Sequence, residues 1–105
     1  MRHNIYEKGY GYIPRLIMED RRLSALSKSI YAYFCSFSEG KASLFPPLNK
    51  ILEDLNMTED VYQAHFQLLV RCGYISLQQE KRSDGGVRNI FTLQKQIEFW
   101  ENKKI

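Results

Sequence analysis

The chain has 105 residues, of which 44% are hydrophobic and 26% are charged, a composition typical of one small globular domain and not of a disordered chain. No apolar run is long enough to span a bilayer, and residues 1–12 lack the apolar stretch of a secretory signal. We therefore expect a cytoplasmic protein without a membrane partner, in which the modest net charge of +3 matters through its distribution.

Three helices are predicted after a basic N-terminal arm at 1–12. Their predicted ranges are 24–39, 47–55 and 58–72. Ser24 and Thr58 are expected N-caps, because their hydroxyls can accept from the open backbone N–H groups of a first turn. Gly73 is expected to end the third helix, since glycine takes the left-handed conformation at little cost. The segment 11–18, just before the first helix, is expected to be extended because Pro14 disfavours a regular helix there.

A β-hairpin is predicted over 74–93. Its two runs, YISLQQEKRS and VRNIFTLQ, are rich in strand-forming residues and are separated by Asp84, Gly85 and Gly86. Asp-Gly between two such runs is a strong short-range signal for a hairpin. A short amphipathic helix is predicted at 95–103.

This order of elements is typical of a winged helix-turn-helix, and three stretches carry a closer resemblance. They are RLSALSKSIYAYFCSF, FPPLNKILEDLNMTEDVY and LLVRCGYI. They resemble the first helix, the Phe-Pro-led second helix with its turn, and the helix exit into the wing of plasmid replication initiators and primosome-loading proteins. The resemblance covers about residues 10–93. It implies an α+β winged helix-turn-helix, with three helices, a two- to three-stranded antiparallel wing and a short C-terminal helix, as a single domain over 1–105.

The resemblance implies a sequence-specific, double-stranded DNA-binding accessory protein of a plasmid or other mobile element. Such a protein would mark or bend a site at a replication or transfer origin and recruit larger replication or transfer machinery. A local transcriptional regulator is a close alternative. A protein-interaction adaptor is an alternative of another class, because winged helices can keep their apolar faces for partners without binding DNA.

The third predicted helix is an unusual DNA reader. Members of this fold place it in the major groove, but here its first turn carries Glu59 and Asp60. These acids suit the positive end of the helix dipole, worth about 0.3–1 kcal/mol each, and they would repel phosphate. Only Gln63 and Gln67 can make the bidentate contact that an amide makes with adenine. We therefore expect this helix to be a scaffold, an edge contact or a dimer surface.

Basic residues outside that helix are expected to contact DNA instead. Residues 1–28 and 71–105 each carry a net charge of +3, whereas 29–70 carries −3. A basic hairpin tip fits a minor groove, and basic arms reach adjacent grooves. The alternative for the wing is a solvated hairpin with ordinary surface charges, and the alternative for the arm is a frayed terminus; neither would contact DNA. The candidate contacts are Arg2, His3 and Lys8 in the arm, Arg21, Arg22 and Lys28 as phosphate clamps, and Lys81, Arg82, Ser83, Arg88 and Asn89 in the wing.

The third helix is apolar over more than half of its circumference, which indicates burial on more than one side. Its two apolar stripes are Tyr62, Phe66 and Leu69, and Val61, Leu68 and Cys72. Either the first helix and the wing cover both stripes, or a second copy covers Val61, His65 and Leu68 in a homodimer. His65 itself is read as a partly buried packing residue.

No catalytic or metal site is predicted. Cys35 and Cys72 lack CxxC or Cys/His spacing and lie on apolar helix faces, where cysteine behaves as a small hydrophobe. His3 and His65 are too isolated to hold a metal. No set of titratable residues has catalytic spacing, and no phosphate-binding glycine loop is present. We therefore predict a protein that is not an enzyme and needs no cofactor or small-molecule substrate.

Overall fold

Four helices and one two-stranded sheet make up the part of the chain that the computed structural model describes, residues 2–38 and 45–97. In chain order they are α1 (Arg15–Glu19), α2 (Ala25–Ser38), α3 (Leu48–Leu55), α4 (Glu59–Arg71), β1 (Ile75–Lys81) and β2 (Val87–Leu93). Within these residues, no helix has the length and apolar character needed to cross a membrane.

Local side-chain chemistry sets the ends of the helices. The Ser24 hydroxyl accepts a 3.0 Å hydrogen bond from the Ser27 N–H before α2, and the Thr58 hydroxyl accepts one of 3.3 Å from the Val61 N–H at the start of α4. Both predicted N-caps are thus confirmed. Gly73 follows α4 with a φ of 86°, the left-handed conformation that was expected to end this helix.

The expectation of an extended segment before the first long helix is wrong for Arg15–Glu19. These residues form the short helix α1, with Pro14 as its N-cap at φ −64° and ψ 139°. Proline breaks a helix only from within, because its missing N–H and its ring conflict with the turn before it. Pro14 stands ahead of the helix, where no N–H partner is needed, and Ile17 then buries its side chain in the core.

The two strands form the predicted antiparallel hairpin. Its register runs from Ile75 opposite Leu93 to Lys81 opposite Val87. The tip closes through hydrogen bonds from Arg82 N to Gly86 O at 2.8 Å and from Gly85 N to Arg82 O at 3.0 Å. Gly85 has a φ of 90°, which an L-residue adopts only with strain. Among the described residues the sheet has two strands.

The core lies where α4 packs against α2 and β1. Aromatic rings join α2 to α4 and α4 to β2, with centroids 6.1 Å apart for Phe34 and Phe66 and 5.3 Å apart for Phe66 and Phe91. Helices packed against an antiparallel wing make an α+β winged helix-turn-helix, which confirms the predicted fold class.

Polar contacts fix α3 against α2. The Tyr33 hydroxyl donates a 2.7 Å hydrogen bond to Oδ2 of Asp54, and the Lys50 ammonium donates to the same oxygen at 3.0 Å. The Tyr33 hydrogen bond and then the lysine lower the pKa of Asp54. The turn from α3 to α4 is therefore held in place through the carboxylate of α3.

The predicted helix at 95–103 does not start where it was expected. Residues 95–97 are not helical, and 98–103 lie outside the described residues. The backbone N–H of Gln94 donates instead to the Tyr74 carbonyl at 2.9 Å, which continues the pairing beyond β2. The half-buried Ile97 then packs against the core.

Candidate nucleic-acid interface

The exposed face of α4 is polar and negative at its start. Its exposed side chains, including that of the N-cap, are Thr58, Glu59, Asp60, Val61, Gln63, Ala64, Gln67 and Arg71. Tyr62, Phe66 and Leu69 are buried on the opposite face. None of the ion pairs within the described residues neutralises Glu59 or Asp60. The two glutamines are thus open to a ligand, but they lie beside two unneutralised carboxylates.

The wing tip has exposed cations between two exposed acids, Glu80 and Asp84. Lys81, Arg82 and Ser83 are exposed. The Arg82 guanidinium lies 3.5 Å from Oδ2 of Asp84, and Oδ1 of Asp84 accepts a 2.9 Å hydrogen bond from the Gly86 N–H. Exposed ion pairs contribute only about 0–1 kcal/mol. A phosphate can therefore compete for Arg82, while the other oxygen of Asp84 keeps the turn in shape.

Arg88 and Asn89 belong to β2, where they lie opposite Glu80 and Gln79 in the register. The side chains of both residues lie outside what the structure describes. Their predicted DNA contacts therefore rest on their positions in the strand that leaves the wing tip.

The N-terminal arm approaches α2 at Gly11. Arg2, His3 and Lys8 are exposed. Gly11 approaches α2 so closely that a Cβ on it would lie 1.9 Å from the Cys35 carbonyl oxygen. Oδ1 of Asn4 accepts a 2.9 Å hydrogen bond from the Tyr6 N–H. These contacts give the arm one local turn and one point of close approach to α2, at Gly11.

Arg22 has an internal partner that the sequence did not reveal. Its Nε donates to Oδ1 of Asp20 at 2.9 Å and its Nη2 to Oδ2 at 2.6 Å. The hydrogen bonds from Arg22 hold the pKa of the buried Asp20 carboxyl well below its usual range, and Asp20 raises the pKa of Arg22. The guanidinium is still partly exposed, so it is both a structural anchor and a cation near the surface.

The other two predicted phosphate clamps differ in accessibility. The Lys28 ammonium donates a 2.7 Å hydrogen bond to the Met18 carbonyl oxygen, and Lys28 is half-buried. Arg21 is exposed. The structure thus places the three basic residues 21, 22 and 28 around the end of α1 and the start of α2, with Arg21 the most accessible.

Asp20 is the residue of this region that the sequence analysis missed. Besides Arg22, the Tyr74 hydroxyl donates to its Oδ2 at 2.7 Å. Burial first, and then this hydrogen bond, raise the pKa of Tyr74 to about 12. The only local sign of this contact in the sequence is that Asp20 stands two positions before Arg22. Tyr74 is distant in sequence, so its contact with Asp20 has no local sign.

The predicted dimer surface on α4 is partly occupied within the chain itself. Leu68 packs against the core, and Nδ1 of His65 shares a 2.7 Å hydrogen bond with the Ser24 hydroxyl. Val61 remains 37% exposed. The packing role predicted for His65 therefore includes a polar contact, and Val61 is the most open of the three residues.

Both cysteines lie in the core region. Cys35 is buried, Cys72 is half-buried, and neither forms a disulfide in the described part of the chain. Burial raises the pKa of the Cys35 thiol to about 11, which makes its thiolate scarce near neutral pH. In residues 2–38 and 45–97, no three His, Cys, Asp or Glu side chains are grouped so that they could hold a metal ion.

Comparisons with known proteins agree with this geometry. A family model described as a helix-turn-helix domain matches residues 21–75, more than half of the chain. The matched range contains α2, α3 and α4 and ends at the first residue of β1. Searches of curated proteins and of solved structures found no match.

Proposed function

Because this chain belongs to the helix-turn-helix domain family, we propose that it binds double-stranded DNA mainly through its basic wing and N-terminal arm. The observation that carries the proposal is a contrast of exposed charges. Lys81 and Arg82 are exposed at the wing tip, whereas Glu59 and Asp60 are exposed at the start of α4. Since phosphate contacts supply most non-specific affinity for DNA, the duplex favours the basic surface over the acidic helix end.

Each group of residues has a distinct role in this proposal. The wing residues Lys81, Arg82, Ser83, Arg88 and Asn89 enter or line a minor groove, and the arm residues Arg2, His3 and Lys8 contact an adjacent stretch of backbone. Arg21 holds a phosphate, with Lys28 and the exposed edge of Arg22 as secondary contacts. Such backbone contacts fix the register of a protein on DNA without reading sequence.

The third helix of the motif, α4, contributes at its edge. Gln63 and Gln67 are exposed one turn apart on the same helix face, and each amide can by itself make a bidentate contact with an adenine. The adjacent Glu59 and Asp60 oppose deep insertion because they would lie close to phosphates. We therefore propose that any base contact from α4 is limited to these two amides.

The biological role we propose is that of a non-enzymatic accessory factor at a replication or transfer origin of a plasmid or other mobile element, where it recruits larger machinery. This role rests on the three stretches that resemble plasmid replication initiators and primosome-loading proteins. Footprinting on the replication and transfer origins of the replicon that encodes the chain tests it. Protection confined to the promoter of its own gene would favour a local transcriptional regulator instead.

Homodimer formation stays a prediction. It is supported by the exposed Val61 and the half-buried Leu68, which lie two turns apart on one face of α4. The apolar area of these two residues is small compared with that of a stable dimer interface. Sedimentation with and without duplex tests it, and Val61→Asp should dissociate a dimer that uses this face. A monomer in both conditions would contradict the prediction.

Alanine variants test whether the wing or α4 contributes more to DNA affinity. Arg82→Ala and Arg88→Ala should each weaken binding to the cognate duplex and reduce the salt slope of binding by about 1, as expected for a lost phosphate contact. The Gln63→Ala/Gln67→Ala double variant should bind the same cognate duplex more tightly than either arginine variant does. Arg71→Ala removes an exposed cation outside the proposed contacts and serves as the control. Loss of affinity in the glutamine variant alone would identify α4 as the reader.

A protein-interaction adaptor is the second candidate function, and the exposed acids at the start of α4 favour it. The salt dependence of binding to random duplex separates the two functions. Several phosphate contacts give a steep fall in affinity with salt, whereas an adaptor would show almost no retention even at low salt.

A further inference from the structure

Three tyrosine rings on the N-terminal arm are exposed and in contact with one another. Tyr6, Tyr10 and Tyr12 are 61%, 55% and 87% exposed. The ring centroids are 5.4 Å apart for Tyr6 and Tyr10 and 6.4 Å apart for Tyr10 and Tyr12, with interplanar angles of 75° and 86°. In each edge-to-face contact the edge of one ring covers one face of its neighbour, and the remaining ring faces are open to a ligand. We call these three residues the tyrosine ladder.

The ladder is held on an ordered backbone. Gly11, between Tyr10 and Tyr12, lies so close to α2 that a Cβ would overlap the Cys35 carbonyl oxygen at 1.9 Å. The turn at Asn4 adds a 3.0 Å hydrogen bond from the Glu7 N–H to the Asn4 carbonyl. A preorganised segment loses less conformational entropy on binding than a flexible tail. The rings are therefore presented to a partner in advance.

The charges around the ladder favour an anionic partner. Arg2, Lys8 and Arg15 are exposed, and no ion pair within the described residues uses any of them. Glu7 is the only acidic residue between positions 2 and 15, and Asp54 of α3 lies close enough to Lys8 to interact with it electrostatically. A row of exposed aromatic rings among cations is the combination found in proteins that bind single-stranded nucleic acid, in which bases stack on the rings and phosphates meet the cations.

Duplex DNA does not use such rings well, because its bases are already stacked on one another and present only their edges in the grooves. Unpaired bases expose their faces. We infer that the tyrosine ladder binds single-stranded DNA by stacking on unpaired bases, with Arg2, Lys8 and Arg15 contacting the phosphates. This inference goes beyond the proposed duplex contacts and does not depend on how the wing binds.

Binding of a fluorescein-labelled oligothymidine of about 15 nucleotides to the whole chain tests the inference, read by anisotropy. The Tyr6→Leu/Tyr10→Leu/Tyr12→Leu variant should lose at least about tenfold in affinity, because the stacking faces are gone. The matched Tyr6→Phe/Tyr10→Phe/Tyr12→Phe variant keeps the faces and should stay within about twofold of the wild type. Duplex affinity should be unaffected in both variants.

Three results would overturn the inference. They are a wild-type chain that does not bind the oligothymidine, a leucine variant that binds it as well as the phenylalanine variant does, and a leucine variant that loses duplex affinity to the same degree.

Should the triple leucine variant fail to fold by circular dichroism, Tyr12→Leu against Tyr12→Phe gives the same comparison at the most exposed ring. Arg82→Ala tests the duplex proposal separately, since it should weaken duplex binding and leave the oligothymidine bound.

Discussion

The Tyr74 hydroxyl donates a 2.7 Å hydrogen bond to Oδ2 of Asp20, and that carboxylate is buried. Asp20 directly follows α1, and Tyr74 directly precedes β1. Their hydrogen bond therefore connects the helices to the base of the wing. The Arg22 guanidinium donates to the same oxygen and supplies the balancing charge. Because a buried carboxylate without partners is strongly unfavourable, this three-residue contact makes the wing's orientation depend on Asp20.

Two tyrosine-to-phenylalanine variants separate a bonded hydroxyl from an unbonded one. Tyr74→Phe removes a hydrogen bond to a charged group and should lower the free energy of unfolding by about 1.5–3 kcal/mol. Tyr62 is 2% exposed, and its hydroxyl has no hydrogen-bond partner within the described residues. Tyr62→Phe should therefore be neutral or stabilising by about 1 kcal/mol, because it removes an unsatisfied buried group. Urea unfolding measures both, and equal losses would contradict the assignment.

Acid should weaken the fold through Asp20. Arg22 holds the pKa of this carboxyl below its ordinary value of 3.8 in the folded chain. A group with a lowered folded pKa stabilises the native state above its unfolded pKa, and this contribution is lost as the pH falls through the folded value. Stability should therefore fall as the pH drops below about 4. Asp20→Asn should be less stable at neutral pH and show a flatter fall in acid; the same acid slope in both proteins would contradict this.

Asp84 limits the positive potential of the wing tip. Asp84→Asn removes the charge 3.5 Å from Arg82 and keeps a side-chain oxygen that can accept from the Gly86 N–H. Affinity for random duplex at low salt should rise about two- to fivefold, since one repulsive charge is lost and one cation is released. Glu53→Gln, at an exposed position of α3 that forms no ion pair within the described residues, is the control and should leave affinity unchanged. Unchanged affinity in Asp84→Asn would place the wing tip away from DNA.

Two glycine variants distinguish lack of space from backbone strain. Gly11→Ala would place a methyl group 1.9 Å from the Cys35 carbonyl oxygen, so it should displace the arm or lower stability by about 1–3 kcal/mol. Gly85 has open space around its Cα but a φ of 90°, so Gly85→Ala should cost about 1–2 kcal/mol through backbone strain alone. Protease cleavage within residues 1–12 should increase only in Gly11→Ala. An arm equally protected in both variants would contradict the close contact with α2.

Local signals in the sequence were sufficient for most of the fold. The hydroxyls of Ser24 and Thr58 and the turn at Asp84, Gly85 and Gly86 act within a few residues of themselves, so their spacing alone predicts their contacts. Helix α1 was missed because Pro14 was read as a helix breaker, although it stands at the N-cap, where its ring is compatible with the first turn.

Contacts between residues distant in sequence were not predictable. Tyr74 and Asp20 are in contact only because the chain folds α4 and β1 back against the start of α2. No local sequence pattern predicts a contact between residues so far apart in the chain. For the same reason the sequence predicts Arg22 only as a phosphate clamp and His65 only as a packing residue, without their partners Asp20 and Ser24. In the candidate interface, sequence identified the exposed charges, but it could not show which of them have partners within the chain.

Site-directed photo-crosslinking tests most directly whether DNA is met by cations outside α4. A photoreactive side chain replaces Ser83 at the wing tip in one variant and Gln63 on α4 in another, both at exposed positions that the fold tolerates. We predict strong crosslinks to a bound duplex from position 83 and weak ones from position 63. Strong crosslinks to base edges from position 63, with none from position 83, would show that α4 lies in the groove and that the wing does not contact the DNA.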